Sequence, residues 1–103
     1  MIRKCLAASL LLVFCSVAGA LDEEERLQFA DGLYSRGMHE LSLKEYEAFL
    51  RNFPASKKMD IVHFRLGECN RSLGKFEAAE KEYDIVFNNP ASEYRFKAGF
   101  KRA

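Results

Sequence analysis

The chain has 103 residues, and its 16 basic and 15 acidic side chains give a formal net charge of +1. A nearly neutral chain lacks the basic excess that is typical of nucleic-acid-binding proteins, so we expect no nucleic acid among its partners. The length allows one small domain with a modest hydrophobic core.

The N-terminal segment 1–20 has the pattern of a secretory signal peptide. Two basic residues precede an almost wholly apolar stretch over 6–14, and Ala18-Gly19-Ala20 places small residues where a signal peptidase cleaves. The apolar stretch is shorter than the ~20 residues of a membrane-spanning helix. We therefore predict export to the periplasm or cell envelope with cleavage after Ala20. Retention of the segment as a membrane anchor is the alternative.

Cys69 is the one cysteine of the predicted mature chain, because Cys5 and Cys15 lie in the signal segment. A disulfide within one mature chain is therefore excluded. The apolar helical position of Cys69 predicts a buried thiol. A disulfide between two copies and a reactive thiol are the alternatives.

One motif occurs twice in the remaining chain, with an offset of 37 residues at most positions. Both copies carry small residues, a glycine, a tyrosine and a closing proline in the same order. The first copy comprises Ala30, Gly37, Ser42, Tyr46 and Pro54. The second copy comprises Leu66, Gly67, Gly74, Phe76, Ala79, Tyr83 and Pro90. Self-similarity of this length indicates stacked supersecondary units.

Each unit is predicted to be a pair of helices, because its apolar residues recur at helical rather than strand spacing. Glycine tolerates the left-handed conformation of a helix C-cap, so Gly37 and Gly74 should end the first helix of each pair. The prolines should end the second helices, and Ser56 and Ser92 should cap the helices that follow. The pattern predicts an all-α fold of two helical hairpins and a C-terminal helix, with helices at about 23–36, 40–52, 57–73, 76–88 and 92–102.

The second copy resembles a tetratricopeptide repeat through Leu66-Gly67, Gly74, Ala79 and Tyr83, and the first copy is similar. The segments 53–56 and 64–67 also resemble the exported bacterial branch of this family, which includes an outer-membrane assembly lipoprotein and the Tol–Pal cell-division coordinator. The resemblance implies an α–α superhelix. Its parts would be repeat 1 over 21–56, repeat 2 over 57–91, and a capping helix or the start of a third repeat over 92–103.

The same resemblance implies that the first helices of the repeats line a groove that binds a peptide or helix of a partner protein. By register, the groove residues would be Leu27, Gln28, Asp31, Tyr34, Phe64, Arg65, Glu68 and Arg71. For Leu27 and Phe64, packing between repeats is the alternative. We therefore expect a non-enzymatic scaffold or adaptor of the bacterial cell envelope.

No metal or cofactor is expected. His39 and His63 have no second ligand at metal-binding spacing, and the sequence has no phosphate-binding loop or nucleophile elbow.

The C-terminal segment 92–103 has a second interpretation. Its aromatic residues Tyr94, Phe96 and Phe100 alternate with basic ones, which is typical of helices that contact anionic membranes. Exposed apolar residues there would also favour self-association. An alternative function follows, in which the chain is the N-terminal part of a larger repeat protein that acts in outer-membrane or envelope assembly, with this basic tail on the membrane.

Overall fold

The computed structural model describes residues 22–102. Within this range the protein is helical and contains no strand, which confirms the predicted all-α class. The signal peptide predicted over 1–20 and its cleavage point lie outside the described residues. The helices are α1 (22–35), α2 (His39–Asn52), α3 (Met59–Ser72), α4 (Phe76–Phe87) and α5 (Arg95–Arg102).

The turns inside the two hairpins are built in the same way. Gly37 has a φ of 76°, which places it in the left-handed region that glycine tolerates. Its amide donates to the carbonyl of Tyr34, and the amide of Met38 donates to the carbonyl of Leu33, both at 3.0 Å. Gly74 ends α3 with the same pair of bonds and a φ of 77°. This pair of bonds is the Schellman motif, which satisfies the last carbonyls of a helix.

The segments that join one helix pair to the next are also repeated. Pro54 and Pro90 lie in exposed turns at the predicted unit boundaries. The predicted helix starts are wrong here, because Ser56 and Ser92 cap these turns and not the helices. The hydroxyl of Ser56 accepts the amide proton of Lys58 at 3.1 Å, and Ser92 makes the equivalent bond two residues ahead. α3 and α5 begin after these turns, two and three residues later than predicted.

Two hydrophobic cores lie between the helices, each formed by one hairpin and the first helix that follows it. The first core consists of Leu27, Ala30, Leu43, Tyr46, Phe49, Val62, Leu66 and Cys69. The second core consists of Phe64, Ala79, Tyr83, Val86 and Ala98. α3 contributes residues to both cores and is therefore buried on two faces.

Small residues let the paired helices approach closely, as the motif predicts. In the first hairpin, the hydroxyl of Ser42 donates to the carbonyl of the buried Ala30 at 3.0 Å. In the second, a Cβ on Gly67 would lie 2.5 Å from Cε1 of Tyr83. Phe76 is a large apolar motif residue that does not join the core, since it is 67% exposed at the start of α4.

The helices within 22–102 are all too short or too polar to cross a bilayer.

Candidate functional site

Five side chains form a row across the first helix of each unit, and we call it the cross-helix row: Asp31, Tyr34, Arg65, Glu68 and Lys101. On α1 and on α3 the row residues are three positions apart, which places each pair on one helix face. The Arg65 guanidinium lies 4.6 Å from the centre of the Tyr34 ring, which joins α3 to α1. Glu68 Oε1 lies 2.7 Å from Lys101 Nζ, which joins α3 to α5.

Two of the predicted groove residues are core residues, so the groove assignment of Leu27 and Phe64 is corrected. Both side chains are more than 90% buried. The Phe64 ring packs against the rings of Tyr83 and Tyr94, with ring centres 5.9 and 5.3 Å away. Both residues are apolar and face a neighbouring helix across a core, so they pack in the interior and do not line a groove. Gln28, in contrast, is exposed beside the row.

Lys101 was not among the predicted groove residues, because register was applied only to the first helices of the two complete repeats. The repeat itself carried the signal that could have found it. Lys101 follows Arg65 by 36 residues, the same offset as that between Pro54 and Pro90. The two cations therefore hold equivalent places on successive first helices.

In the first hairpin, the hydroxyl of the central tyrosine has a hydrogen-bond acceptor. Tyr46 is fully buried, and its hydroxyl donates to the carboxylate of Asp31 in the cross-helix row. Burial raises the pKa of Tyr46 strongly, and the hydrogen bond to Asp31 raises it further. The phenol therefore stays protonated and remains a donor.

The second hairpin leaves the equivalent tyrosine without a partner. Tyr83 is buried, and no described residue accepts the proton of its hydroxyl, because the nearby Arg71 guanidinium can only donate to it. Glu68 occupies the place that corresponds to Asp31, but its carboxylate is bound to Lys101. Burial, with a smaller contribution from the charge of Glu68, raises the pKa of Tyr83 to about 12.

An open cleft of about 190 Å³ lies beside this tyrosine, and we call it the Tyr83 cleft. Its walls come from the end of α3, the first half of α4 and the end of α5. The lining residues are Arg71, Phe76, Ala79, Glu80, Tyr83, Lys101 and Arg102. Arg71, the remaining predicted groove residue, is exposed and belongs to this cleft rather than to the cross-helix row.

Other polar groups bind the helices together. His63 Nδ1 lies 2.6 Å from a carboxylate oxygen of Glu82, which joins α3 to α4. Ser92 donates to Asp60 at 2.8 Å and so ties the second joint to α3. Cys69 is a buried free thiol, as predicted, and burial raises its pKa. Among residues 22–102, no three histidine, cysteine or acidic side chains are grouped so that they would hold a metal ion.

Comparison with known proteins identifies no relative: no protein-family model, curated protein or solved structure matches this chain.

Proposed function

We propose that this chain is a non-enzymatic docking module of the bacterial cell envelope, built from tetratricopeptide-like repeats. The partner is a peptide or helix of another protein, and it lies along the cross-helix row. The observation that carries this proposal is the row itself, because its solvent-accessible side chains lie on three successive helices and contact one another from α1 to α3 and from α3 to α5. Tyrosine and arginine are the side chains that most often anchor protein interfaces.

The charges of the row suit selection of a partner. Arg65 and Lys101 alternate with Asp31 and Glu68, so a segment with a single sign of charge meets repulsion somewhere along the line. Arg65 is already ordered by its stacking on Tyr34. A side chain that is ordered before binding loses less conformational entropy on docking.

Site-specific photo-crosslinking in the exporting cell tests the proposal. A photoreactive residue at Gln28 reports on the groove, and one at the exposed Lys44 of α2 reports on the outer surface. We expect a defined crosslinked partner from Gln28 and not from Lys44. Arg65→Glu combined with Lys101→Glu should reduce that product by about tenfold or more, because it reverses both positive charges of the row beside the docked segment.

The matched control reverses two exposed lysines on the outer helices, Lys44→Glu with Lys81→Glu. It makes the same net charge change away from the groove and should leave the Gln28 product unchanged. Equal loss from both double variants, or no loss from Arg65→Glu with Lys101→Glu, would reject the groove as the docking site.

A second candidate function is contact of α5 with the membrane surface, within a larger protein of envelope assembly. Phe96 and Phe100 are 75% and 85% exposed, and basic residues flank them on this short helix. Apolar side chains beside basic ones favour the interface of an anionic bilayer. Phe96→Ser with Phe100→Ser should then release the full chain from vesicles that contain phosphatidylglycerol. Equal sedimentation of both proteins with such vesicles would reject this contact.

A further inference from the structure

The hydroxyl of Tyr83 is the least satisfied polar group of the second hairpin. It is buried, and no described residue accepts its proton. Nearly all buried polar groups in proteins have a hydrogen-bond partner, and a missing one destabilises the fold. The fold does not force a tyrosine at this position to lack an acceptor. Tyr46 stands at the equivalent position of the first hairpin, and its hydroxyl donates to Asp31.

The Tyr83 cleft brings this hydroxyl together with a free cation. Lys101 is bound to Glu68 at 2.7 Å, and Arg102 is bound to Asp84 at 2.8 Å. Arg71 makes no ion pair with any residue in 22–102, and its charge acts on the Tyr83 phenol, whose pKa it lowers against the effect of burial. The hydroxyl oxygen is closed to solvent, so binding requires a side chain that lines the cleft, such as the exposed Arg71, to move aside.

We propose that the Tyr83 cleft binds a carboxylate, with one oxygen accepting the hydroxyl proton of Tyr83 and the other facing the Arg71 guanidinium. The first hairpin provides the chemical precedent, because a carboxylate satisfies the equivalent tyrosine there. Arginine forms strong charge-assisted hydrogen bonds with carboxylates. A phenol that stays protonated adds a second hydrogen-bond donor for the same carboxylate. The site shares Lys101 with the cross-helix row, but its two proposed ligand contacts, Tyr83 and Arg71, lie outside the row, and it adds a second binding function to the proposed docking module.

The carboxylate has two sources, a free small organic acid or an acidic side chain of a peptide. A titration of the ¹⁵N-labelled full chain at neutral pH and constant ionic strength distinguishes them. The three probes are sodium acetate, an end-blocked Gly/Ser peptide with one central Glu, and the same peptide with Gln. We expect acetate to shift the amide signals of Gly67 and Arg71 and the side-chain Nε–H signal of Arg71.

Tyr83→Phe keeps the ring and removes the donor, so it should weaken acetate binding about tenfold or more. Arg71→Gln on the exposed surface should weaken it to a similar extent. Tyr46→Phe is the matched control, because it removes the hydroxyl that is already bonded, and it should leave acetate affinity unchanged. Circular dichroism verifies that each variant remains helical.

Tighter binding of the Glu peptide than of acetate, together with weak binding of the Gln peptide, assigns the site to a peptide side chain. Tighter binding of acetate assigns it to a small acid. Equal affinity of Tyr83→Phe and the unchanged protein for acetate would overturn the proposal, as would shifts that chloride reproduces at the same ionic strength.

Discussion

The two hairpins share a backbone design but differ in their polar contacts. Both end their first helix with the same glycine turn, and both bury a tyrosine at the same place in the second helix. In the first hairpin that tyrosine donates to an aspartate, whereas in the second no residue within 22–102 accepts the hydroxyl proton. The helix geometry repeats between the two hairpins, but the side-chain hydrogen bond of the buried tyrosine does not.

The hairpins also differ at the equivalent positions Tyr34 and Arg71, which are 37 residues apart. In the first hairpin, Arg65 of the following helix stacks on the Tyr34 ring, and Asp31 accepts the hydroxyl proton of Tyr46. In the second hairpin, Arg71 stands at that position, and Lys101 of the following helix pairs with Glu68. No described residue accepts the proton of Tyr83.

In this chain, one set of residues determines how the helices pack, and a different set determines which polar contacts they make. Small residues and a tyrosine define how the two helices of a hairpin meet. We expect the residue at the equivalent positions, Tyr34 or Arg71, to influence whether an acidic side chain is available to the tyrosine. Substitutions that act on one hairpin alone therefore separate the two effects.

The largest expected difference is in alkaline stability. Burial raises the pKa of Tyr83 from 10.0 to about 12, so the unfolded chain loses this proton first as the pH rises. The stabilisation is fully present below about pH 10 and is lost between about pH 10 and 12, at about 1 kcal/mol per pH unit. Tyr83→Phe should remove this part of the decline, while Tyr46 continues to contribute. Urea unfolding across this range measures it, and parallel curves for the two proteins would contradict the prediction.

Gly67→Ala should destabilise the second hairpin by about 2 kcal/mol, because the added methyl overlaps the Tyr83 ring. Gly32→Ala on α1 is the matched control. A Cβ there meets nothing within 4 Å, so it should stabilise the protein by about 0.5 kcal/mol through helix propensity. Chemical unfolding of both variants gives the two values. A cost at Gly32 equal to that at Gly67 would mean that the close approach is not specific to the tyrosine.

Tyr46→Phe should cost about 1 kcal/mol at neutral pH, because it removes a hydrogen bond to a carboxylate. Tyr83→Phe should cost nothing or stabilise the protein slightly, since the hydroxyl that it removes is unpartnered. The free energies of unfolding of the two variants provide the measurement. If both substitutions cost the same, Tyr83 has an acceptor in solution.

The smallest effect comes from transplanting the first hairpin's pair into the second, Arg71→Tyr with Lys101→Arg. The new arginine should stack on the new ring and release Glu68 to accept the proton of Tyr83. In this background Tyr83→Phe should become costlier by about 0.5–1 kcal/mol, which a double-mutant cycle detects. An unchanged cost would place the cause of the orphaned hydroxyl elsewhere.

Sequence patterns predicted the parts of this fold that follow from local backbone chemistry. Gly37 and Gly74 end their helices as expected, because few residues other than glycine adopt a positive φ without strain. Helical spacing placed all five helices. The late starts of α3 and α5 were missed, since serine bonds equally well to a turn amide and to a helix amide.

The site was less predictable, because it depends on which neighbours a side chain meets. Tyr34, Arg65 and Glu68 lie partly exposed on α1 and α3, the helices on which register placed them. Register left Leu27 and Phe64 open between groove and core, because spacing does not tell which neighbouring helix covers a side chain. The ion pair between Lys101 and Glu68 is a tertiary contact that spacing alone does not contain.

α3 has a consequence for how the protein unfolds. α3 contributes side chains to both cores, so unfolding of either hairpin exposes apolar residues of the other to water. Opening events that free α3 should therefore propagate along the whole molecule, whereas fraying at α1 or α5 stays local. The centre of the chain should carry the slowest amide exchange, and both ends the fastest.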